Sequence, residues 1–289
     1  MQYASGNFLW AAADAAGTTF TISGLPLQPK AIKVWIIALQ EIFLGTFNPN
    51  ATEAVNGLRS MGFATSTTNR RCVAAAEVDG AGSMTCFSGF RDDCVAMTLL
   101  NSTNALASGR LDLDALLSDG FRLIIDATSN TINCIVNWEA WGGGDITVAE
   151  AISIAEPAAT GNQDYTVTGL TADGVGQAVM FAGVQQTGAA PAETGAFDSG
   201  LCLGYAADVN AADNVVVMGN QDGGSAAADT DGYCKTGECL GMITVAGGNP
   251  NARAQLTQWN ANGFRLNWIA RGVTNRRYIA LAIKGGLWK

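Results

Sequence analysis

The sequence predicts an all-β protein made of two jelly-roll-like β-sandwiches in tandem, the first over residues 1–155 and the second over 156–289. Three observations predict it. Large apolar residues alternate with polar ones over short stretches, which is the period of a half-buried strand. A domain-sized block of sequence recurs along the chain. Glycine supplies 35 of the 289 residues, a richness that suits turn-dense β structure.

Strands are expected first at Phe20–Ile22, Ala31–Leu39 and Val73–Val78. Leu111 to Leu117 has the spacing of a single helical turn. Asp119-Gly120 then offers the dipeptide that accepts positive φ in a tight hairpin, and Phe121, Leu123 and Ile125 line one face of the strand behind it. After the polar turn Thr128-Ser129-Asn130, Ile132 to Trp138 closes a three-strand meander ending in Gly142-Gly143. The joint falls at Glu156-Pro157-Ala158-Ala159-Thr160-Gly161, where Pro and Gly follow an apolar run. Beyond it, strands are expected at Tyr165–Val167, Ala178–Val184 and Asn214–Met218. The hairpin dipeptide Asn262-Gly263, the alternating Phe264-Arg265-Leu266-Asn267-Trp268, the turn Gly272-Val273-Thr274-Asn275 and the strand Tyr278 to Ile283 repeat the earlier meander. Phe121, Leu123, Phe264, Leu266 and Trp268 are the expected core residues, with Arg122 and Arg265 facing the other way.

The repeat is explicit at an offset of 143. Residues 120–143 and 263–286 align without a gap and share eight of 24 positions, where chance would give about two. Upstream, Phe20-Thr21-Ile22-Ser23-Gly24-Leu25 matches Tyr165-Thr166-Val167-Thr168-Gly169-Leu170, and Gly62-Phe63-Ala64 matches Gly204-Tyr205-Ala206. Cys94-Val95-Ala96-Met97-Thr98 resembles Cys239-Leu240-Gly241-Met242-Ile243-Thr244. The period far exceeds that of a solenoid repeat, so each unit is a domain.

Composition removes several function classes. There is no histidine, so a histidine triad, a histidine general base and a histidine-ligated metal are all excluded. The 16 Lys and Arg against 25 Asp and Glu give a net charge of −9, which disfavours nucleic acid. Only 14% of residues are charged while 48% are hydrophobic, the reverse of a disordered chain. The opening Met1-Gln2-Tyr3-Ala4-Ser5-Gly6 lacks the basic start of a secretory leader, and the strongest apolar run, Ala31 to Leu44, is interrupted by Lys33, Gln40 and Glu41. A protein made in a cytoplasm without a leader, and without a membrane span, is expected.

Chemistry-bearing patterns are sparse. Of the seven cysteines, Cys86 with Cys94 and Cys234 with Cys239 each close a short loop in corresponding places, which makes them candidate disulfides; buried thiols are the alternative. No second close cysteine pair completes a zinc site. Asp222-Gly223-Gly224 and Asp229-Thr230-Asp231-Gly232 lack the later glutamate of a calcium loop. The acids of Arg91-Asp92-Asp93 and Asp112-Leu113-Asp114 read as ordinary exposed carboxylates. Gly174-Val175-Gly176 opens no helix, and neither a phosphate loop nor a nucleophile elbow is present. Asn50-Ala51-Thr52 and Asn101-Ser102-Thr103 fit a glycosylation pattern that has no meaning without a leader. Trp138, Trp141, Trp268 and Trp288 read as core, while Trp10, Trp35 and Trp259 leave sugar stacking open. Arg70-Arg71 and Arg276-Arg277 are too short for a nucleic-acid patch and suit acids across a protein interface. No metal, cofactor or catalytic residue is expected.

Three segments carry a resemblance. Gly24-Leu25-Pro26-Leu27-Gln28-Pro29-Lys30-Ala31-Ile32-Lys33-Val34-Trp35, Asn262-Gly263-Phe264-Arg265-Leu266-Asn267-Trp268 and Tyr278-Ile279-Ala280-Leu281-Ala282-Ile283-Lys284-Gly285-Gly286 resemble the successive strands of a module repeated in tailed-bacteriophage virion proteins. Asp119-Gly120-Phe121-Arg122-Leu123 resembles its second strand again. The resemblance implies a non-catalytic particle component, on the head surface or in the tail, that contacts copies of itself and neighbouring virion proteins. Low charge and the lack of a catalytic constellation agree with it. A receptor- or glycan-binding module using exposed Trp and Tyr is the alternative expectation, and an unusual hydrolase a distant third.

Overall fold

A computed structural model describes residues 1–39, 57–79, 84–99, 109–127, 133–195, 199–207, 213–220, 230–243, 250–272 and 275–285. These form 21 strands in four antiparallel sheets, with no helix among them. In the first half the strands are β1 (Gln2–Trp10), β2 (Thr19–Ile22), β3 (Pro29–Leu39), β4 (Gly57–Ala64), β5 (Arg70–Asp79), β6 (Met84–Arg91), β7 (Ala96–Thr98), β8 (Gly109–Leu117), β9 (Gly120–Ala127) and β10 (Cys134–Gly142). The second half carries β11 (Val148–Ala155), β12 (Gly161–Thr166), β13 (Gln177–Val184), β14 (Ala192–Gly195), β15 (Ser199–Ala206), β16 (Asn214–Asn220), β17 (Thr230–Thr236), β18 (Leu240–Ile243), β19 (Pro250–Asn260), β20 (Gly263–Ala270) and β21 (Arg277–Lys284).

One sandwich pairs the sheet β1-β10-β3-β4-β5-β6 with the sheet β2-β9-β8-β7. The other pairs β11-β21-β13-β15-β16-β17 with β12-β20-β19-β18. Setting β14 aside, the two orders correspond strand for strand. In each, the first strand lies beside the last and the second beside the last but one, as chain ends wrap in a jelly roll. The remaining strands are meanders. Each sandwich has its own core, centred on Phe121, Leu123 and Trp138 in the first and on Phe264, Leu266 and Trp268 in the second.

Four sequence expectations change. Leu111 to Leu117 is extended within β8, because its hairpin with β9 gives it a ladder partner that an isolated helical turn lacks. The three-strand meander does not form: β9 pairs with β8 and β2, while β10 crosses to the facing sheet between β1 and β3. Val148–Ala155, assigned to the first unit, runs along β21 in the second. Gly120 and Gly263 are not needed for positive φ, which falls instead on Asn262 at 62°. A Cβ at Gly120 would lie 1.9 Å from the Ile22 carbonyl oxygen, and at Gly263 2.1 Å from that of Tyr165. The glycines allow a neighbouring backbone to come close.

The same reasoning gives a test on β4 and β15. A Cβ on Gly62 would stand 2.0 Å from the Val95 carbonyl oxygen, and one on Gly204 1.8 Å from that of Cys239. Backbone cannot yield as a flexible side chain does. Gly62→Ala and Gly204→Ala should each destabilise by about 1–3 kcal/mol through overpacking, read by chemical denaturation. Exposed Gly144, with nothing within 4 Å, is the control that should tolerate alanine.

Candidate interaction surface

The two sandwiches stand back to back. The outer face of β3–β6 packs on the outer face of β11, β21, β13 and β15, so the molecule is a stack of four sheet layers. Between the middle layers lies a third core that includes Phe63, Val73, Phe90, Trp141, Ile279, Leu281 and Ile283. Strands there are buried on both faces, as the uninterrupted burial of Tyr278–Ile283 shows. Polar side chains stitch the rim. The Asn69 side-chain amide exchanges two hydrogen bonds with Ala151, at 3.1 and 2.8 Å, as a strand neighbour would. Arg71 Nε donates to Ser153 Oγ at 2.9 Å and Gln186 Nε2 to the Ser88 carbonyl at 3.1 Å. β14 extends the first half's sheet by pairing with β6, and Arg91 reaches Glu193 on it at 2.7 Å.

The layers are staggered. β3 lies over β11 and β6 over β13 and β15. The β1 end of one sheet and the β16–β17 end of the other therefore run past the contact in opposite directions. Tyr3 and Leu9 on β1 are 50% and 49% exposed, and Val216 and Met218 on β16 are 45% and 51% exposed. Each continues the face of the third core. Tyr3 stands opposite Trp141 with ring centroids 6.0 Å apart, and Met218 stands opposite Leu201, which packs against that core. Leu203, Val216 and the exposed Cys234 follow one another across neighbouring strands of the same face.

Most of the described arginines are held in ion pairs. Arg91 holds Asp93 at 2.6 Å, and this hydrogen bond lowers the Asp93 pKa. Asp164 pairs with Arg265 at 2.7 Å, and Asp114 with Arg122. The basic pairs are taken up within the chain: Arg70 lies 2.6 Å from Asp112, Arg276 meets Glu156, and Arg277 lies over the Phe90 ring and donates to the Gly188 carbonyl. Of the acids expected to be exposed, Asp92 is exposed, whereas Asp93, Asp112 and Asp114 are partly covered. Asp112 is the clearest case, since burial, opposed by the Arg70 charge, pushes its pKa up to about 6. Folded Asp112 then holds its proton more tightly than the unfolded chain does. Its stabilising contribution is complete below the unfolded value near ~4 and is lost as pH rises through about 6. Stability should rise as pH falls from 7 toward 5. Asp112→Asn should flatten that window and gain on the order of 1 kcal/mol at pH 7, the figure being reduced for partial solvent contact; melting curves at the two pH values read it.

All seven cysteines are free, and neither expected pair shares a face. Cys94 belongs to the first core and lies against Cys72, with sulfurs 3.2 Å apart. Cys86 shares its face of β6 with Ser88 and Phe90, which turn toward the other half, and strand alternation puts it on the far side of the sheet from Cys94. Cys239 is in the second core, whereas Cys234 is exposed on the face of β17 opposite Tyr233, which packs against that core. Burial and the neighbouring Cys94 raise the Cys72 pKa well above its ordinary value, and burial raises that of Cys239.

Trp10, Trp138, Trp141, Trp259 and Trp268 are buried, so no aromatic trough forms from them; Trp35 is half-buried beneath Lys33 Nζ, 4.7 Å from its ring centroid. A groove of about 370 Å³ beside the link from β10 to β11 is lined by Gln28, Lys30, Thr65, Leu116, Ile146 and Val148 among others, and Lys30 Nζ there donates to the Ile146 carbonyl at 2.6 Å. Among the described residues no cluster of three or more Cys, Asp and Glu side chains could hold a metal, and no helix is long and apolar enough to cross a membrane. Asp222, Gly223, Gly224, Asp229, Trp288, Gly286, Ile132 and the Asn50 and Asn101 patterns lie outside the described residues. No protein-family model, curated protein or solved structure matches this chain. The sequence reading missed the third core and the stagger. The unbroken apolar run from Tyr278 to Ile283 was the available signal, because a strand covered on both faces loses its period of two.

Proposed function

We propose that this chain is a non-catalytic structural subunit of a bacteriophage virion, made in the host cytoplasm and built into the head surface or the tail. Its two sandwiches derive from one duplicated unit, and it assembles with copies of itself and with neighbouring virion proteins through broad, weakly charged sheet faces. The observation that carries the reading is the pair of uncovered sheet ends bearing Tyr3, Leu9, Leu203, Val216 and Met218. Exposed apolar area of that kind, continuous with a packed interface, favours cover by another protein surface. The equal strand orders of the two sandwiches support the duplication, and the low share of charged residues, 14% of the chain, favours apolar burial as the main force for association.

The test is sedimentation velocity of the purified chain at ~0.05 M and ~1 M salt, where the Debye length falls from about 14 to about 3 Å. Association should persist at high salt, with interfaces burying more than ~1,000 Å². Assemblies that dissolve at high salt, or a monomer that instead captures glycans on an array, would favour the receptor- or glycan-binding alternative.

A further inference from the structure

We infer that the chain associates head to tail with a second copy of itself, the β16–β17 face of one copy packing against the β1–β10 face of the next. This rests on the reading of the chain as an assembling subunit and names the surface it uses. The stagger supplies the geometry. At one end β1 runs past β11, with Trp141 of β10 the last side chain of that face in the third core; at the other, β16 and β17 run past β6, whose outer edge carries β14. Tyr3 and Leu9 stay exposed at the first end and Val216 and Met218 at the second, so each end leaves apolar face that the other could cover. A neighbour sliding its β16–β17 face under β1–β10 repeats between molecules the packing already made within one.

Side-chain chemistry agrees at both ends. Of eight exposed large hydrophobic residues among those described, Tyr3 and Leu9 lie on one overhang and Leu203, Val216 and Met218 on the other. All five point to the side of the third core, as the pairings of Tyr3 with Trp141 and of Met218 with Leu201 require. The charges on the β1–β10–β3 face are neutralised in place, since Lys33 and Glu139 stand 2.5 Å apart. A contact between two different patches is heterologous, so it propagates into a ring or a filament and does not stop at a dimer.

Complementation tests it. Leu9→Glu blocks one face and Val216→Glu the other, both at exposed positions outside the cores. In sedimentation velocity the wild-type chain should form species larger than 29.9 kDa, and each variant alone should associate at least ~10-fold more weakly. An equimolar mixture should recover association but stop at dimers, because one intact β16 face then meets one intact β1 face. Leu9→Ser and Val216→Thr, which introduce no charge, repeat the test should a glutamate variant fail to fold. Variants that assemble like wild type would overturn the inference while leaving an assembling subunit, and folded variants whose mixture stays monomeric would overturn it in favour of a symmetric contact. A wild-type chain that is monomeric at every concentration would overturn it outright, whereas presence of the chain in particles is a separate measurement.

Discussion

Phe264→Ala should cost about 3–5 kcal/mol of folding stability, through lost burial and the cavity left behind. The ring is fully buried at the centre of an aromatic group, 5.6 Å from Tyr165, 6.1 Å from Phe181 and 6.3 Å from Trp259 between centroids. Its counterpart Phe121 is equally buried and meets Trp138 edge-on at 5.3 Å, so Phe121→Ala should show a loss of the same order. Arg265, the next residue, turns to the exposed face and pairs with Asp164, and Arg265→Ala should leave stability nearly unchanged. Chemical denaturation of the three variants reads the difference. A loss below about 1 kcal/mol for Phe264→Ala would mean that the site is not core.

Glu156→Ala should be as damaging, by about 3–5 kcal/mol, because it strands a buried charge. Glu156 and Arg276 have fully buried side chains 3.1 Å apart, and Asn251 accepts from the same guanidinium nitrogen at 3.1 Å. The other Glu156 oxygen accepts from the Gly272 amide, and the Glu156 backbone bonds Arg276 and Asn275 at 2.8 and 2.9 Å. The pair thus pins the link between β20 and β21 to the end of β11. Removing the carboxylate leaves the guanidinium desolvated, whereas replacing both members with apolar side chains of similar volume removes the penalty. Glu156→Leu with Arg276→Met should therefore be less destabilised than Glu156→Ala alone. If the double variant is the weaker, the two residues contribute mainly by separate contacts and the coupling argued here is absent.

The sequence was legible where one strand face meets solvent. Phe264, Leu266 and Trp268 are buried between the more accessible Arg265 and Asn267, and the alternation says so directly. It was legible in the repeat as well, but only to within a residue or two, and strand parity decides how much that matters. Ile22 faces Phe121 as Tyr165 faces Phe264, so the match of Phe20 to Tyr165 is off by two, which preserves the face. The counterpart of Cys239 is Val95, since both donate to the facing strand, at Ala254 and Leu111, with 2.9 Å bonds. Matching Cys239 to Cys94 is off by one, which suggested a shared disulfide where the core places a thiol and a valine. β14 joins a sheet of the other half from a distant point in the sequence, and a four-residue strand has too little pattern to announce a partner. The overhangs are equally silent, since exposed Val216 reads like its buried neighbours Val215 and Val217.

Particle analysis tests the central claim most directly. Virus particles purified from cells producing this chain would be assayed by peptide mass spectrometry and imaged by electron cryomicroscopy. A structural subunit should be present in many copies per particle and appear as two sandwiches packed back to back, with the β1 and β16 ends covered by neighbouring density. A chain absent from purified particles and recovered only as a free monomer, with those two ends open to solvent, would contradict it.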